Sequence, residues 1–224
     1  MDVNQKLWNA TQKELRQKLP RTVDFDRMKL LLLRHHAMVH AAVMARAGVW
    51  SFEDLIWQGV DDTDARRIPT GQEHSIIWVM WHIARIEDVT MNFLVSGCLQ
   101  VLQNDNWLEG MNIPFYDTGN EISTDDMALL NTSMNVAVLK AYRIAVGQRT
   151  QVIIRGLQPA VVRQKVDPAR IRQLRDSGAV VPAASGIIDY WSKRTIAGLL
   201  LMPATRHNFI HLNEATRIKR ALGH

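Results

Sequence analysis

Apolar residues along this chain recur at helical spacing, and the alternation typical of strands is almost absent. A short polar helix is predicted over residues 3–19, closed by Pro20. Four longer helices follow, with predicted bounds 24–47, 73–96, 123–155 and 189–222. The pattern therefore predicts an all-α protein built as a four-helix bundle.

Two long connectors separate these helices. Residues 98–122 lack helical periodicity and contain Asn-Asp-Asn, glycine and proline, which is typical of a crossover loop. Because the connectors are unequal in length, we expect at least one overhand crossing between helices. The predicted organisation is one bundle domain over residues 1–224, with an N-terminal extension helix over 1–20 and an insertion over 157–186 before the last helix.

The second bundle helix has one apolar and one polar stripe. The polar stripe is predicted to lie opposite the core and consists of Arg85, Asp88, Asn92 and Ser96. Glu87 falls on the apolar side, so it requires a partner that the sequence does not identify. His82 lies between the two faces, as expected at the edge of a cleft, and Trp78 and Trp81 can either line a pocket or belong to the core.

Two histidines on the last helix carry the clearest chemical signal. His207 and His211 are one helical turn apart, and about 40° around the helix axis separates them, so both can point at one atom. They interrupt an apolar stripe that consists of Ile196, Leu200, Ala204, His207, His211, Glu214, Ile218 and Leu222. An unpaired polar side chain in a core costs about 1–3 kcal/mol. The pair therefore needs a partner, either a metal ion or hydrogen-bonding groups of the core.

The other candidate groups receive a structural interpretation. His35, His36 and His40 on the first bundle helix are interpreted as packing or rim residues. Cys98 follows a helix end, with nothing nearby in sequence that argues for a lowered thiol pKa, so we expect it to be inert.

Composition limits the function classes. The 224 residues suit one large domain, with 47% hydrophobic and 22% charged residues. The net charge of +5 is mild, and its densest basic group consists of Arg163, Lys165, Arg170, Arg172 and Arg175. Nucleic-acid binding requires a more concentrated patch, so we interpret these charges as solvated helix faces. One cysteine, no signal-peptide core and no apolar run of bilayer length together predict a cytoplasmic protein.

The segment 81–87 with His82, a long crossover and then His207 and His211 resembles the DinB/YfiT-like superfamily over roughly residues 25–222. The resemblance implies a four-helix bundle in which His82, His207 and His211 bind one divalent ion, usually zinc or nickel. It also implies a homodimer and a reaction with a low-molecular-weight thiol, since characterised members are largely thiol-dependent transferases or isomerases. The extension helix and the 157–186 insertion depart from simple members and leave the substrate pocket undefined.

Three imidazole ligands leave one coordination position open, which is typical of catalytic rather than structural sites. Such an ion can lower the pKa of bound water toward about 7 or hold a thiol as thiolate. Glu214, one turn beyond His211, is the candidate to orient a ligand or to move a proton. It can equally be a ligand itself or the partner of a basic residue.

The leading functional hypothesis is a metal-dependent transferase or hydrolase of small molecules, with a thiol as one candidate co-substrate. The alternative is a non-catalytic, stress-associated binding or dimerisation protein that retains the bundle. A third hypothesis, a binder of nucleic acid or anionic ligands through the arginines of residues 163–175, predicts steep salt dependence.

Overall fold

The computed structural model describes residues 2–44 and 49–224, and within them the chain is all-α. Their α-helices are α1 (Val3–Lys18), α2 (Phe25–Ala37), α3 (Phe52–Trp57), α4 (Asp62–Arg66), α5 (Ile76–Glu87), α6 (Trp107–Met111), α7 (Thr124–Ser133), α8 (Val136–Gly156), α9 (Pro159–Val162), α10 (Pro168–Asp176), α11 (Gly186–Ser192), α12 (Ile196–Leu201) and α13 (Asn208–Ala221). Short 3₁₀ turns occupy Leu19–Arg21, Ala42–Met44, Val101–Gln103 and Pro182–Ala184. The prediction of an all-α fold is confirmed.

Two π-helical segments extend the main helices. One continues α5 over Asp88–Val95, and the other joins α12 to α13 over Met202–His207. In the bundle α5 packs against α8 and α13, and α2 packs against α8. None of the helices in the described ranges combines the length and the apolar character needed to cross a bilayer.

The first bundle helix is shorter than the sequence predicts. It ends at Ala37, whereas the predicted end near residue 47 lies outside the described residues. The carbonyl groups of the next three residues accept hydrogen bonds from Phe52, Arg143 and Ser51 instead of from a further helical turn. Tertiary partners for the backbone therefore end this helix.

The predicted helix over 123–155 is also wrong in detail, because the structure divides it into α7 and α8. Met134 leaves the helical conformation with ψ of 124°. The side chain of Asn135 then accepts a hydrogen bond from the backbone N–H of Val138 and caps α8. Asparagine favours such caps over helix interiors, which explains the break.

The last predicted helix is divided as well. α11 ends at Ser192, and the side chain of Thr195 caps α12 by accepting from the N–H of Gly198 at 3.2 Å. Pro203 lies inside the second π-helical segment, where its missing N–H is tolerated. The sequence placed a kink or a new start at this proline, and the structure has a local change of helical pitch.

The polar stripe of the second bundle helix is buried, contrary to the prediction. Arg85, Asp88 and Asn92 are all 0% exposed. The crossover connection covers them: Asp88 accepts hydrogen bonds from the backbone N–H groups of Val101 and Leu102 at 2.7 and 3.0 Å. The stripe thus holds the crossover against α5 and its π-helical extension.

The N-terminal helix α1 packs on the bundle rather than beside it. The Trp8 ring lies between His35 and Phe209, with centroid distances of 4.2 and 3.9 Å. The Gln12 amide donates to the carbonyl of Leu201 at 2.8 Å and its oxygen contacts His35 Nε2 at 2.6 Å. These contacts connect α1 to the helices that carry the histidine cluster described next.

Candidate metal centre

Three histidines from different parts of the chain converge inside the bundle. His82 lies on α5, His207 ends the second π-helical segment, and His211 lies in the first turns of α13. One ligand atom from each lies within 4.8 Å of the others, and Nε2 of His82 is 3.2 Å from Nε2 of His207. The structure therefore brings together the three residues that the sequence selected, in an arrangement that can bind a metal ion.

Hydrogen bonds fix which nitrogen two of these rings present. His82 Nδ1 must donate to the Thr118 carbonyl, 2.7 Å away, because a carbonyl only accepts. His211 Nδ1 likewise donates to Glu214 Oε2 at 2.7 Å. Both rings therefore present an unprotonated Nε2 to the centre. Metal-binding histidines typically show this pattern, with the second nitrogen donating to a carbonyl or carboxylate.

The electrostatics of the cluster favour neutral rings. Burial lowers the pKa of His82 to about 3, and His211 adds to the effect. Burial and the neighbouring His82 also lower the pKa of His207 well below its usual value. Neutral imidazole is the form that binds metal ions, and three imidazole nitrogens suit zinc, nickel, copper and iron. The donor set thus fits a divalent ion.

Glu214 bridges two histidines. Its Oε2 contacts His211, and its Oε1 contacts Nδ1 of His74 at 2.7 Å. Burial alone would raise the pKa of Glu214, but hydrogen bonds from His211 and His74 lower it to about 2, so the carboxylate is ionised. Of the three alternatives left open by the sequence, this geometry corresponds to orienting His211 from behind while pairing with a second histidine.

His74 was missed by sequence reasoning. It forms a stack with Trp78 and His82, with centroid distances of 3.5 and 4.6 Å and interplanar angles of 7° in both pairs. The spacing of four residues along this trio was the available signal. Trp78 is buried, and so is His82, which is 2% exposed and does not lie at a cleft edge.

A glycine lets the crossover approach this stack. The Trp78 indole N–H donates to the carbonyl of Gly119 at 3.1 Å. Gly119 has φ of +72°, and a Cβ there would lie 3.2 Å from Trp78 Nε1. Any other residue would be strained at this position, so Gly119 permits the close contact of the crossover with α5.

A second buried group surrounds Glu87. Its Oε1 lies 2.8 Å from His36 Nε2, its Oε2 lies 2.9 Å from His40 Nε2, and Asn208 Nδ2 donates to Oε2 at 3.0 Å. These contacts supply the partner that the sequence could not identify. His35, His36 and His40 are all buried, in agreement with packing positions and not with a rim.

By distance alone this second group can also hold a metal ion. Burial would raise the pKa of Glu87, but His40 and His36 lower it well below its usual value, so Glu87 is an ionised acceptor. The Nδ1 atoms of His36 and His40 are buried and have no partner in the structure. A metal on their Nε2 atoms would move both protons onto Nδ1 and leave two buried donors unpaired. Hydrogen bonding to Glu87 therefore accounts for the group better than a metal does.

The two groups are physically connected. Asn208, the neighbour of His207, donates to Glu87 and accepts from Arg143 at 3.0 Å. Arg143 also pairs with the buried Glu53. This network joins α3, α5, α8 and α13 beside the three-histidine cluster.

The arginines of the 157–186 segment do not form an open patch. Arg170 donates to the carbonyls at the end of the first π-helical segment, Arg163 donates to the carbonyl of Arg21, and Arg175 pairs with Asp189. This agrees with the sequence interpretation that they serve local structure. Cys98 is exposed, and a hydrogen bond with Ser96, supported by Arg149, lowers the pKa of its thiol, a feature that its sequence neighbourhood did not indicate.

Comparison with known families agrees with this architecture. Residues 50–215 match the family described as the DinB superfamily. This range contains all three histidines of the cluster and the crossover, and leaves α1 and α2 outside. A search of curated proteins returned no match. Because the matched range covers more than half of the 224 residues, the chain belongs to the DinB superfamily.

Proposed function

We propose that this protein is a metal-dependent transferase or hydrolase of small molecules. In this proposal His82, His207 and His211 bind one divalent ion, zinc or nickel. The observation that carries the proposal is the convergence of three neutral imidazoles, two of which have their Nδ1 atoms held by Thr118 and Glu214. Three histidine ligands leave a position for a reactant, which supports a catalytic rather than a structural centre.

The bound ion would act as a Lewis acid and activate water or a thiol near neutral pH. The chain itself supplies orientation and proton handling. Thr118 and Glu214 hold the rings of His82 and His211, while the flat stack with Trp78 restricts rotation of His82. Glu214 Oε1 accepts from His74 Nδ1, which leaves His74 Nε2 to take up or release a proton.

A surface depression beside His74 is the candidate substrate pocket. It has a volume of about 480 Å³, and its lining includes His74, Ile122, Ser123, Met127 and Asn131. This size and this mixture of apolar and hydrogen-bonding side chains suit a small molecule. The crossover and α7 form much of the lining, and the 157–186 segment contributes nothing to it.

The first test is metal content. Elemental analysis of untagged protein purified without chelator should give about one equivalent of metal per chain. The His207→Ala/His211→Ala double variant should lose it, whereas the His224→Ala control should keep it. In Glu214→Gln we expect metal affinity to fall about 10–100-fold with the fold intact, because His211 loses its carboxylate. Wild-type protein that stays empty after addition of zinc and of nickel would sink the proposal.

Activity is tested on the metal-loaded protein. Thiol-transfer and hydrolysis substrates should be turned over by wild type and not by the double variant. If the loaded protein converts none of them and the histidine substitutions change stability alone, the non-catalytic alternative is the better description.

A further inference from the structure

Four basic side chains line one groove between α1 and the start of the last helical unit. Lys13 and Arg16 come from α1, Arg194 precedes α12, and Arg206 lies in the second π-helical segment. The groove consists of two adjoining depressions of about 320 and 420 Å³ that share Arg16, Arg206 and Gln12. Its lining contains no aspartate or glutamate, so four positive charges face the same space without an acidic neighbour there.

These charges are not used inside the molecule. Elsewhere the arginines have clear partners, such as Asp88 for Arg85 and Glu53 for Arg143. Within the described part of the chain, Lys13, Arg16 and Arg206 form no ion pair or hydrogen bond, and all three are exposed. Arg194 lies over the Tyr190 ring at 4.0 Å from the centroid. Like charges gathered in one groove repel each other, and an anion would relieve that repulsion.

The floor of the groove is held in place. Gln12, which lines both depressions, is only 3% exposed. Its amide donates to Leu201 and its oxygen contacts His35, so α1 cannot slide along α12 without breaking buried hydrogen bonds. The basic side chains therefore project from a defined backbone arrangement rather than from a loose terminus.

We propose that this groove is a binding site for a small polyanion with two or more phosphate or carboxylate groups. Guanidinium groups bind both chemistries through paired, charge-assisted hydrogen bonds. The volume suits a metabolite-sized ligand. Nucleic acid fits less well, because the charge is confined to one groove and Tyr190, the aromatic ring in its lining, is covered by Arg194.

The groove depends on a part of the chain outside the family match. Lys13 and Arg16 precede residues 50–215, whereas Arg194 and Arg206 lie within them. The site therefore requires α1 to be packed against the family domain. It is independent of the proposed function, although Arg206 is the direct neighbour of His207.

The proposal is tested by calorimetric titration of the full chain with fructose 1,6-bisphosphate and with benzene-1,3,5-tricarboxylate. Wild type should bind at least one of the two probes. In Arg16→Gln/Arg206→Gln, affinity should fall at least about tenfold, because two guanidinium contacts are lost. Arg172→Gln/Arg217→Gln is the matched control. It removes the same charge at exposed positions outside the groove and should bind like wild type.

Further arms separate this site from its competitors. The His207→Ala/His211→Ala variant should bind the probe normally, which excludes capture of the anion by a metal. Equal loss in the groove and control variants would reduce the effect to net charge and overturn the proposal. It would also be overturned if single-stranded DNA, or vesicles containing phosphatidylserine, bound through Arg16 and Arg206 while both small anions did not. Circular dichroism of each variant verifies that it is folded.

Discussion

At the scale of single residues, burial controls the histidines. It lowers the pKa values of His35, His40 and His82 to about 3 in each case. For His40 burial outweighs the nearby Glu87 carboxylate, which acts in the opposite direction. All three are consequently neutral in the folded protein at pH 7, whereas in an unfolded chain they titrate near 6.5.

This difference predicts a pH-dependent stability. Between about pH 6.5 and 3 the unfolded chain binds more protons than the folded one, so stability is full above about pH 6.5 and falls as the pH is lowered through that window. Each histidine contributes up to about 1.4 kcal/mol per pH unit. Urea unfolding of the metal-free protein at pH 7.5, 6.5 and 5.5 measures the slope, before the carboxylates titrate.

The comparison variant is His35→Gln, which removes one of these buried histidines while keeping a polar group beside Gln12. Its stability should depend less steeply on pH, by about one proton's contribution. An unchanged slope would show that His35 is not neutralised by burial.

At the scale of elements, α5 shows how a polar stripe can serve the interior. The fully buried Asp88 accepts from Arg85 and from the Tyr142 hydroxyl, at 3.0 and 2.7 Å, in addition to its contacts with the crossover. Arg85 donates in turn to the carbonyl of Tyr116 at 2.8 Å. The stripe thus connects α5, α8 and the crossover, and through the crossover it supports Thr118 behind His82.

We therefore predict that Asp88→Asn lowers the free energy of unfolding by about 3–5 kcal/mol, because Arg85 keeps its charge in the interior without an ionised partner. Urea unfolding measures the difference. Asp125→Asn, an exposed change of the same kind on α7, should cost less than about 0.5 kcal/mol. A loss below about 1 kcal/mol for Asp88→Asn would contradict the role of this ion pair.

At the scale of the whole molecule, α1 belongs to the cooperative core, although the family match begins after it. Trp8 is 0% exposed, and its partners His35 and Phe209 lie on α2 and α13. Removing the ring would leave a cavity at the contact of three helices. The homodimer implied by the resemblance remains a prediction.

Trp8→Ala should cost about 3–5 kcal/mol, as expected for truncating a buried aromatic side chain. Unfolding should remain a single transition, since α1 and the bundle share one core. Leu7→Ala on the same helix is the control, because Leu7 is 48% exposed, and its effect should be small. A loss below about 1 kcal/mol for Trp8→Ala would show that α1 is an appendage.

The sequence alone determined the all-α class, the main helices and the histidine pair on the last helix, because helical periodicity and one-turn spacing are local properties. The partnership of His82 with His207 and His211 came from a family resemblance. Only the tertiary structure decided that Arg85 and Asp88 face inward, that His74 reaches Glu214 and that Glu87 meets His36 and His40. These contacts join groups more than 50 residues apart in sequence or depend on which connector covers a helix face. Neither property leaves a periodic trace in one sequence.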